Sequence, residues 1–169
     1  GDLDAINLRI NSPGGAVFDA KAIMNTLRAH PAPVHVHIDG VAASAATIVA
    51  MAGDTITMEP GAEMMFHHAS TEVSGDKRTL ESMATWIGRQ SDDVADLYAQ
   101  KSGGTVEEWQ ARMDEETWAF ADEAVSLGIA DKAVKLRPTH PQLAARMQRR
   151  HSLKGYRYEG RAAAGPPKT

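Results

Sequence analysis

The chain has no cysteine among its 169 residues. That absence excludes a disulfide framework, thiolate chemistry and any metal site built on cysteine ligands. The chain also lacks the run of about eighteen apolar residues that a membrane-spanning helix needs. Its first segment, GDLDAINLRI, has neither the basic flank nor the apolar stretch of a secretory signal. We therefore expect a globular domain with one core, located in the cytoplasm.

Charge is distributed unevenly along the chain. Residues 1–136 carry 10 basic and 21 acidic side chains, whereas residues 137–169 carry 8 and 1, so the net charge changes from −11 to +7. The basic segment has proline at both ends and little apolar periodicity, which is typical of a solvated tail. We expect a domain at 1–136 and a mostly disordered extension at 137–169, and no binding of nucleic acid.

Apolar periodicity in the first forty residues predicts two strands joined by a helix. Residues 6–10 and 34–38 alternate between apolar and polar types, the pattern of half-buried strands. A connection of this length favours parallel pairing with a right-handed crossover. The helix ends before Pro31, and its apolar face is formed by Phe18, Ala22, Ile23 and Leu27.

The remaining segments continue the alternation of strands and helices. The alanine-rich GVAASAATIVAMAG predicts a buried helix that ends at Gly53, and DTITMEP and AEMMFHH predict two short strands. Residues 77–100 form a long amphipathic pattern. Thr105 and Glu108 have the spacing of a capping box for a short helix through Met113, and another helix is expected at 122–127. This order indicates an α/β fold.

Ser44 is the candidate nucleophile. It stands between two pairs of alanines where a strand changes to a helix, so its hydroxyl is sterically open. The first turn of a helix has unpaired N–H groups, and that of Ala45 could stabilise an oxyanion. The Gly14-Gly15 turn in NSPGG could supply a second donor, because glycine allows close approach of the main chain. The alternative is that Ser44 is a packed small residue and the glycines form an ordinary turn.

A nucleophilic serine requires a base, and His67 and His68 are the candidates. They follow the apolar run MMF, which would end a strand at a sheet edge. An interface role for the pair is the alternative. His35 and His37 alternate with core residues, so we expect them on the outer face of their strand. No spacing of histidines and carboxylates is typical of a metal site, and we expect neither metal nor cofactor.

The acid that would orient the histidine lies in the segment MDEETWAF. It offers Asp114, Glu115 and Glu116, and composition does not choose among the three.

Taken in order, four segments resemble the ClpP-type serine peptidases, the proteolytic subunits of Clp proteases and their relatives. INSPGG resembles the family's glycine turn, GVAAS its nucleophile segment, MMFHH its histidine strand, and ETWAFADEAVSLGIAD its acid segment. The resemblance covers residues 5–136. The forms AASAA, FHHAS and ETW are most similar to the ClpP-like head maturation proteases of tailed phages and prophages.

The resemblance implies roles for individual residues. Ser44 is the nucleophile, His67 the general base, and the backbone N–H groups of Gly15 and Ala45 the oxyanion hole. Glu116 stands where the family has an aspartate, which makes it the expected acid, with Asp114 as the alternative. The resemblance also implies a ClpP/crotonase-like spiral of ββα units that begins after the family's usual first strands, with a long helix for oligomerisation.

The expected function is that of a serine endopeptidase acting on polypeptides, with capsid or scaffold proteins as substrates in the phage subgroup. The resemblance implies a homo-oligomeric ring and, in Clp peptidases, an AAA+ unfoldase partner. Two other functions are compatible with the residues. A noncatalytic assembly subunit is favoured by the early start, and a crotonase-like acyl-CoA enzyme shares the fold and the backbone oxyanion hole.

Overall fold

Strands and helices alternate along the chain. The computed structural model describes residues 3–136, and the expected basic extension at 137–169 lies outside the described residues. The observed order confirms the α/β fold that the sequence predicts. Within the described residues the elements are β1 (Ile6–Ser12), α1 (Val17–Arg28), β2 (Val34–Ala43), α2 (Ala45–Ala50), β3 (Thr55–Met58), β4 (Glu63–Phe66), α3 (Lys77–Ser102), α4 (Val106–Asp114), β5 (Thr117–Phe120), α5 (Ala121–Ser126) and β6 (Lys132–Ala133).

The strands form one sheet around β2. Strand β1 lies parallel to β2 along one edge, with Ile6 opposite Val34, as the sequence predicts. The other edge of β2 is shared, because its first half pairs with β3 and its last residues pair with β4, both in parallel. Strand β6 pairs with β3 in parallel, and β5 pairs with β4 antiparallel at the end of the sheet. Because β2 and β4 are parallel, the residues that follow them lie at the same edge of the sheet.

Helix α1 is present as predicted, but the apolar face found in the sequence is not the buried one. Its buried residues are Ala20 and Met24, with Leu27 partly buried. Phe18 is 56% exposed and Ile23 is 47% exposed. The reason is that α1 packs against the short helix α2, and a close approach of two helices favours small side chains such as Ala20 at the contact.

Helices α3 and α4 begin and end at specific capping residues. The Asp76 side chain accepts a hydrogen bond from the N–H of Thr79 at the start of α3, and Gly103 ends the helix with a φ of 75°. This helix extends slightly beyond the predicted 77–100. The predicted capping box of α4 is confirmed, since Thr105 and Glu108 each bond the other's backbone N–H. Such caps stabilise a helix by about 1 kcal/mol.

An aromatic cluster fixes the end of β4 against α3 and α4. Phe66, Tyr98 and Trp109 are each at most 1% exposed. Their ring centroids lie 5.0–5.1 Å apart in edge-to-face and tilted arrangements, which contribute about 0.5–1.5 kcal/mol per pair beyond the burial of their surface. Phe66 is the last residue of β4. The cluster therefore holds the point at which the histidine segment leaves the sheet.

Candidate active site

Ser44 lies on a strained turn between β2 and α2. Its φ is 54° and its ψ is −128°, a region of backbone space that costs a non-glycine residue of order 1–3 kcal/mol. Hydrogen bonds hold the turn on both sides: the N–H of Ser44 donates to the carbonyl of Met65, and its carbonyl accepts from the N–H of Thr47. A sharp turn from strand to helix presents a serine hydroxyl away from the sheet.

His67 lies against the Ser44 hydroxyl. The two residues follow parallel strands, and Ala43 at the end of β2 is paired with Met65 in β4. The Nε2 atom of His67 is 2.7 Å from Oγ of Ser44. Both side chains are partly buried. A neutral imidazole at this distance can remove the hydroxyl proton as the oxygen attacks an electrophile.

The second histidine has a different partner. Nε2 of His68 lies 2.9 Å from Oδ1 of Asp114, the last residue of α4. The Asp114 side chain is 73% exposed, so this contact contributes at most about 1 kcal/mol. The contact joins the histidine segment to the end of α4.

Glu116 lies in the turn between α4 and β5, and its carboxylate bonds away from His67. Strand β5 is antiparallel to β4, and the last observed pair is Phe66 with Thr117. The register ends there, because Glu116 has a φ of 50° and its N–H donates to the carbonyl of Met113 in α4. In this conformation Oε1 of Glu116 accepts a hydrogen bond of 3.3 Å from the indole of Trp118. Within residues 3–136, the one hydrogen bond made by the ring of His67 is that to Ser44.

The glycine turn lies against the nucleophile. Gly14 has a φ of 101°, and a Cβ added there would lie 2.6 Å from the Ala43 carbonyl oxygen and 2.9 Å from Cβ of Ser44. Glycine is therefore required at this position. Gly15 differs, because a Cβ there would meet no atom within 4 Å.

The N–H groups of Gly15 and Ala45 are the candidate oxyanion donors. Neither donates to a protein acceptor within the described residues, so both are available to a ligand. Beside them lies an open cleft of about 500 Å³ that is lined by both residues and by apolar side chains including Ile10, Ala20 and Val49. An extended chain could place a carbonyl group at the serine while its side chains enter this cleft.

Sequence reasoning missed the residues that support the Ser44 turn from behind. Thr47 is fully buried in α2, and its hydroxyl contacts both the Ser44 carbonyl and the hydroxyl of Tyr98 in α3. Ser91, also in α3, accepts a hydrogen bond from the N–H of Ala69. A hydroxyl inside the apolar run ATIVA was the available signal, since buried polar groups need partners.

Two further properties of residues 3–136 bear on what the site can hold. This part of the chain contains no group of three histidine, aspartate or glutamate side chains arranged to bind a metal ion. No helix in it is both long enough and apolar enough to cross a membrane.

A serine hydroxyl on a strained turn, with a histidine nitrogen in hydrogen-bonding contact, is the arrangement that defines serine hydrolases. Within that class, the family model described as Clp protease matches residues 2–137. The chain belongs to the Clp protease family, whose members are serine peptidases that form oligomeric rings and degrade polypeptides.

Similar proteins include curated bacterial subunits and a solved structure. The chain is 32% identical over 131 residues to an ATP-dependent Clp protease proteolytic subunit 2 of Rhodococcus jostii, covering 76% of this chain and 67% of that protein. It is 31% identical over 134 residues to the subunit of the same name in Corynebacterium glutamicum, covering 78% and 66%. A ClpP1 point mutant from Listeria monocytogenes superposes with a TM-score of 0.71 at 25% identity, covering 79% of this chain and 75% of that one. The matches thus span about two thirds of the curated relatives' length.

Proposed function

We propose that this protein is a serine endopeptidase in which Ser44 is the nucleophile and His67 the general base. The observation that supports the proposal is the 2.7 Å contact between Oγ of Ser44 and Nε2 of His67 at a strained turn. Membership of a family of serine peptidases favours this chemistry over that of an acyl-CoA enzyme.

The proposed reaction proceeds through an acyl-enzyme. His67 takes the hydroxyl proton as Ser44 attacks the peptide carbonyl, and the N–H groups of Gly15 and Ala45 bind the resulting oxyanion. The histidine then gives its proton to the leaving amine as the C–N bond breaks. A water molecule, deprotonated by the same histidine, hydrolyses the ester and restores the serine. Glu116 is the proposed acid because it directly precedes Thr117, which pairs with Phe66 just before His67. Asp114, whose carboxylate bonds His68, is the alternative.

Labelling with a fluorophosphonate probe tests the nucleophile. Wild-type protein should be labelled at Ser44, and Ser44→Ala should remain unlabelled. Hydrolysis of a fluorogenic peptide should fall by about 10⁴–10⁶-fold in the same variant. Ser82→Ala is the matched control, because Ser82 is exposed on α3 and should change neither result. Equal labelling of the wild type and Ser44→Ala would refute the assignment.

The proposed substrates are capsid or scaffold proteins processed during the assembly of a phage head. The motifs AASAA, FHHAS and ETW support this narrower role. Incubation with the capsid and scaffold precursors encoded beside the gene should give discrete cleavage products. Degradation of casein to short peptides in the presence of an AAA+ unfoldase, with the precursors left intact, would instead assign the protein to general proteolysis.

A homo-oligomeric ring is the proposed assembly. The first half of α3, residues 77–90, contains no buried position. Leu80 is 45% exposed and Trp86 is 41% exposed, and the Trp86 ring packs on that of Phe18, which is itself 56% exposed. Apolar surface of this kind on a projecting helix is typical of a surface that contacts another subunit.

A noncatalytic assembly subunit is the second candidate. The observation that favours it is the Glu116 carboxylate, which bonds the Trp118 indole instead of the histidine. This candidate predicts association with an active relative together with the absence of Ser44 labelling in both the free and the assembled protein.

A further inference from the structure

The two buried side chains of polar type within residues 3–136 both bond to the main chain of the candidate site. They are Thr47, which is 0% exposed, and Ser91, which is 4% exposed. Burying a hydroxyl is unfavourable unless it is hydrogen bonded. The location of both buried hydroxyls beside the segments that contain Ser44 and His67 therefore requires an explanation. Resting on the proposed peptidase function, we infer that Tyr98 and Thr47 are positioning residues that orient the N–H of Ala45, the proposed oxyanion donor. Ser91, which lies in α3 like Tyr98, holds the segment that contains the two histidines.

The direction of the hydrogen bonds follows from proton counting. The Ser44 carbonyl can only accept, so the Thr47 hydroxyl must use its single proton in the 2.5 Å bond to that oxygen. The Tyr98 hydroxyl, 2.6 Å from the Thr47 hydroxyl, must therefore donate to it. Burial raises the pKa of Tyr98 well above its ordinary value, so the phenol keeps this proton. The chain of donors runs from Tyr98 through Thr47 to the Ser44 carbonyl.

Anchoring that carbonyl also orients the Ala45 N–H. The carbonyl of Ser44 and the N–H of Ala45 belong to one planar, trans peptide group, so they point in opposite directions. Holding the oxygen toward the interior therefore directs the N–H outward, to the side of the cleft that Ala45 lines. Ser44 combines a φ of 54° with a ψ of −128°, so rotation of this peptide toward a positive ψ would bring the residue to the left-handed helical region, relieve strain and remove the donor. The Thr47 hydroxyl and N–H, which both bond the oxygen, oppose that rotation.

The same face of α3 supports the histidine segment. Ser91 and Tyr98 are seven residues apart, which is close to two turns of an α-helix, so both point to one side. The Ser91 hydroxyl accepts a 3.1 Å bond from the N–H of Ala69, just beyond the two histidines. The Tyr98 ring packs at 5.1 Å from Phe66, the residue that precedes His67. One rigid helix face thus supports both catalytic segments.

Isosteric substitutions test the positioning role. Tyr98→Phe and Thr47→Val each remove one hydroxyl, and Thr47→Ser keeps it. We expect Tyr98→Phe and Thr47→Val to lower kcat by about 10- to 100-fold with KM changed less than twofold. That loss is smaller than the hundred- to thousandfold effect of removing an oxyanion donor outright, because the N–H of Thr47 still holds the carbonyl. Thr47→Ser should restore most of the activity.

A transition-state analogue separates positioning from folding. A peptide aldehyde forms a hemiacetal with Ser44 whose oxygen occupies the oxyanion site, so its inhibition constant should rise by the same factor as kcat/KM falls. The pH profile should keep its shape, because the histidine is unchanged. Thr26→Val is the matched control, since the exposed Thr26 hydroxyl bonds its own helix at the Ala22 carbonyl. Its kinetic constants should equal those of the wild type.

Each remaining outcome is decisive. If Tyr98→Phe and Thr47→Val label and hydrolyse as fast as the wild type, the inference is wrong while the peptidase function stands. A fall in kcat that only matches a fall in the folded fraction, measured by circular dichroism, would equally overturn it. If the wild type itself is not labelled at Ser44, both the function and this inference fail.

Discussion

Replacing Gly14 by alanine should destabilise the protein through two separate effects. The φ of 101° at this position costs a residue with a side chain about 1–3 kcal/mol. The added Cβ would also lie 2.6 Å from the Ala43 carbonyl oxygen and 2.9 Å from Cβ of Ser44. Overpacking of that kind typically costs about 1–3 kcal/mol. The expected loss in the free energy of unfolding is therefore about 2–6 kcal/mol, and the backbone that moves is that of Ser44.

Gly15→Ala is the matched control for stability. Gly15 has no positive φ, and a Cβ there would meet no atom within 4 Å. Its free energy of unfolding should change by no more than about 0.5 kcal/mol. Thermal unfolding followed by circular dichroism should show Gly14→Ala at least about 4 °C below both the wild type and Gly15→Ala. Equal melting temperatures for the two variants would show that the turn relaxes freely, which contradicts the close approach on which this reasoning depends.

The remaining predictions concern the acid, the assembly and the cap of α3. Glu116→Gln should lower kcat by about 10³–10⁴-fold, and a larger loss in Asp114→Asn would transfer the role to Asp114. Trp86→Glu should shift the protein to smaller species in sedimentation velocity. An unchanged oligomer would show that this part of α3 does not contact another subunit. Hydrogen bonds from the N–H and hydroxyl of Thr79 hold the pKa of the Asp76 carboxyl below its ordinary value. The charged Asp76 cap therefore stabilises α3 fully at pH values above that ordinary pKa. This stabilisation is lost as the pH falls through the lowered pKa of the folded protein. Urea unfolding between pH 5 and pH 2 should accordingly lose less stability in Asp76→Ala than in the wild type, and identical slopes would contradict this linkage.

The positions of Ser44 and of the two candidate histidines at strand ends were predictable because each has a local signal. Ser44 stands among alanines where an alternating pattern becomes helical, and His67 follows a short apolar strand. The parallel pairing predicted from the sequence was that of β1 with β2. The parallel pairing of β2 with β4, the strands that precede Ser44 and His67, was found only in the structure. Their contact at 2.7 Å is the result of that pairing.

The acid could not be chosen from the sequence. Three carboxylates stand in a row, and their order along the chain does not say which one faces the histidine. The choice depends on the turn between α4 and β5, which the periodicity did not predict and in which Glu116 has a φ of 50°. Its N–H bonds the Met113 carbonyl, and its carboxylate accepts from the Trp118 indole. The direction of the carboxylate is therefore set by the geometry of this turn.

The core-facing side of α1 was also outside the reach of sequence periodicity. Phe18 and Ile23 are its most apolar large residues, yet they are exposed and Ala20 is buried. An apolar stripe in the sequence predicts that one face of a helix is buried, but it does not identify the element that packs on that face. The close packing of α1 on α2 requires small residues.

The sequence by itself determined the α/β class, the order of the elements, the position of the serine between strand and helix, and the two histidines at a strand end. These properties depend on residues close together in the chain, where periodicity, caps and glycine act directly. Only the tertiary structure decided which glycine must be glycine, and that Tyr98, 54 positions beyond Ser44 in the sequence, bonds the threonine that holds the Ser44 carbonyl. Those contacts join distant segments, and the physical reason for them is the packing of one helix against the ends of two strands.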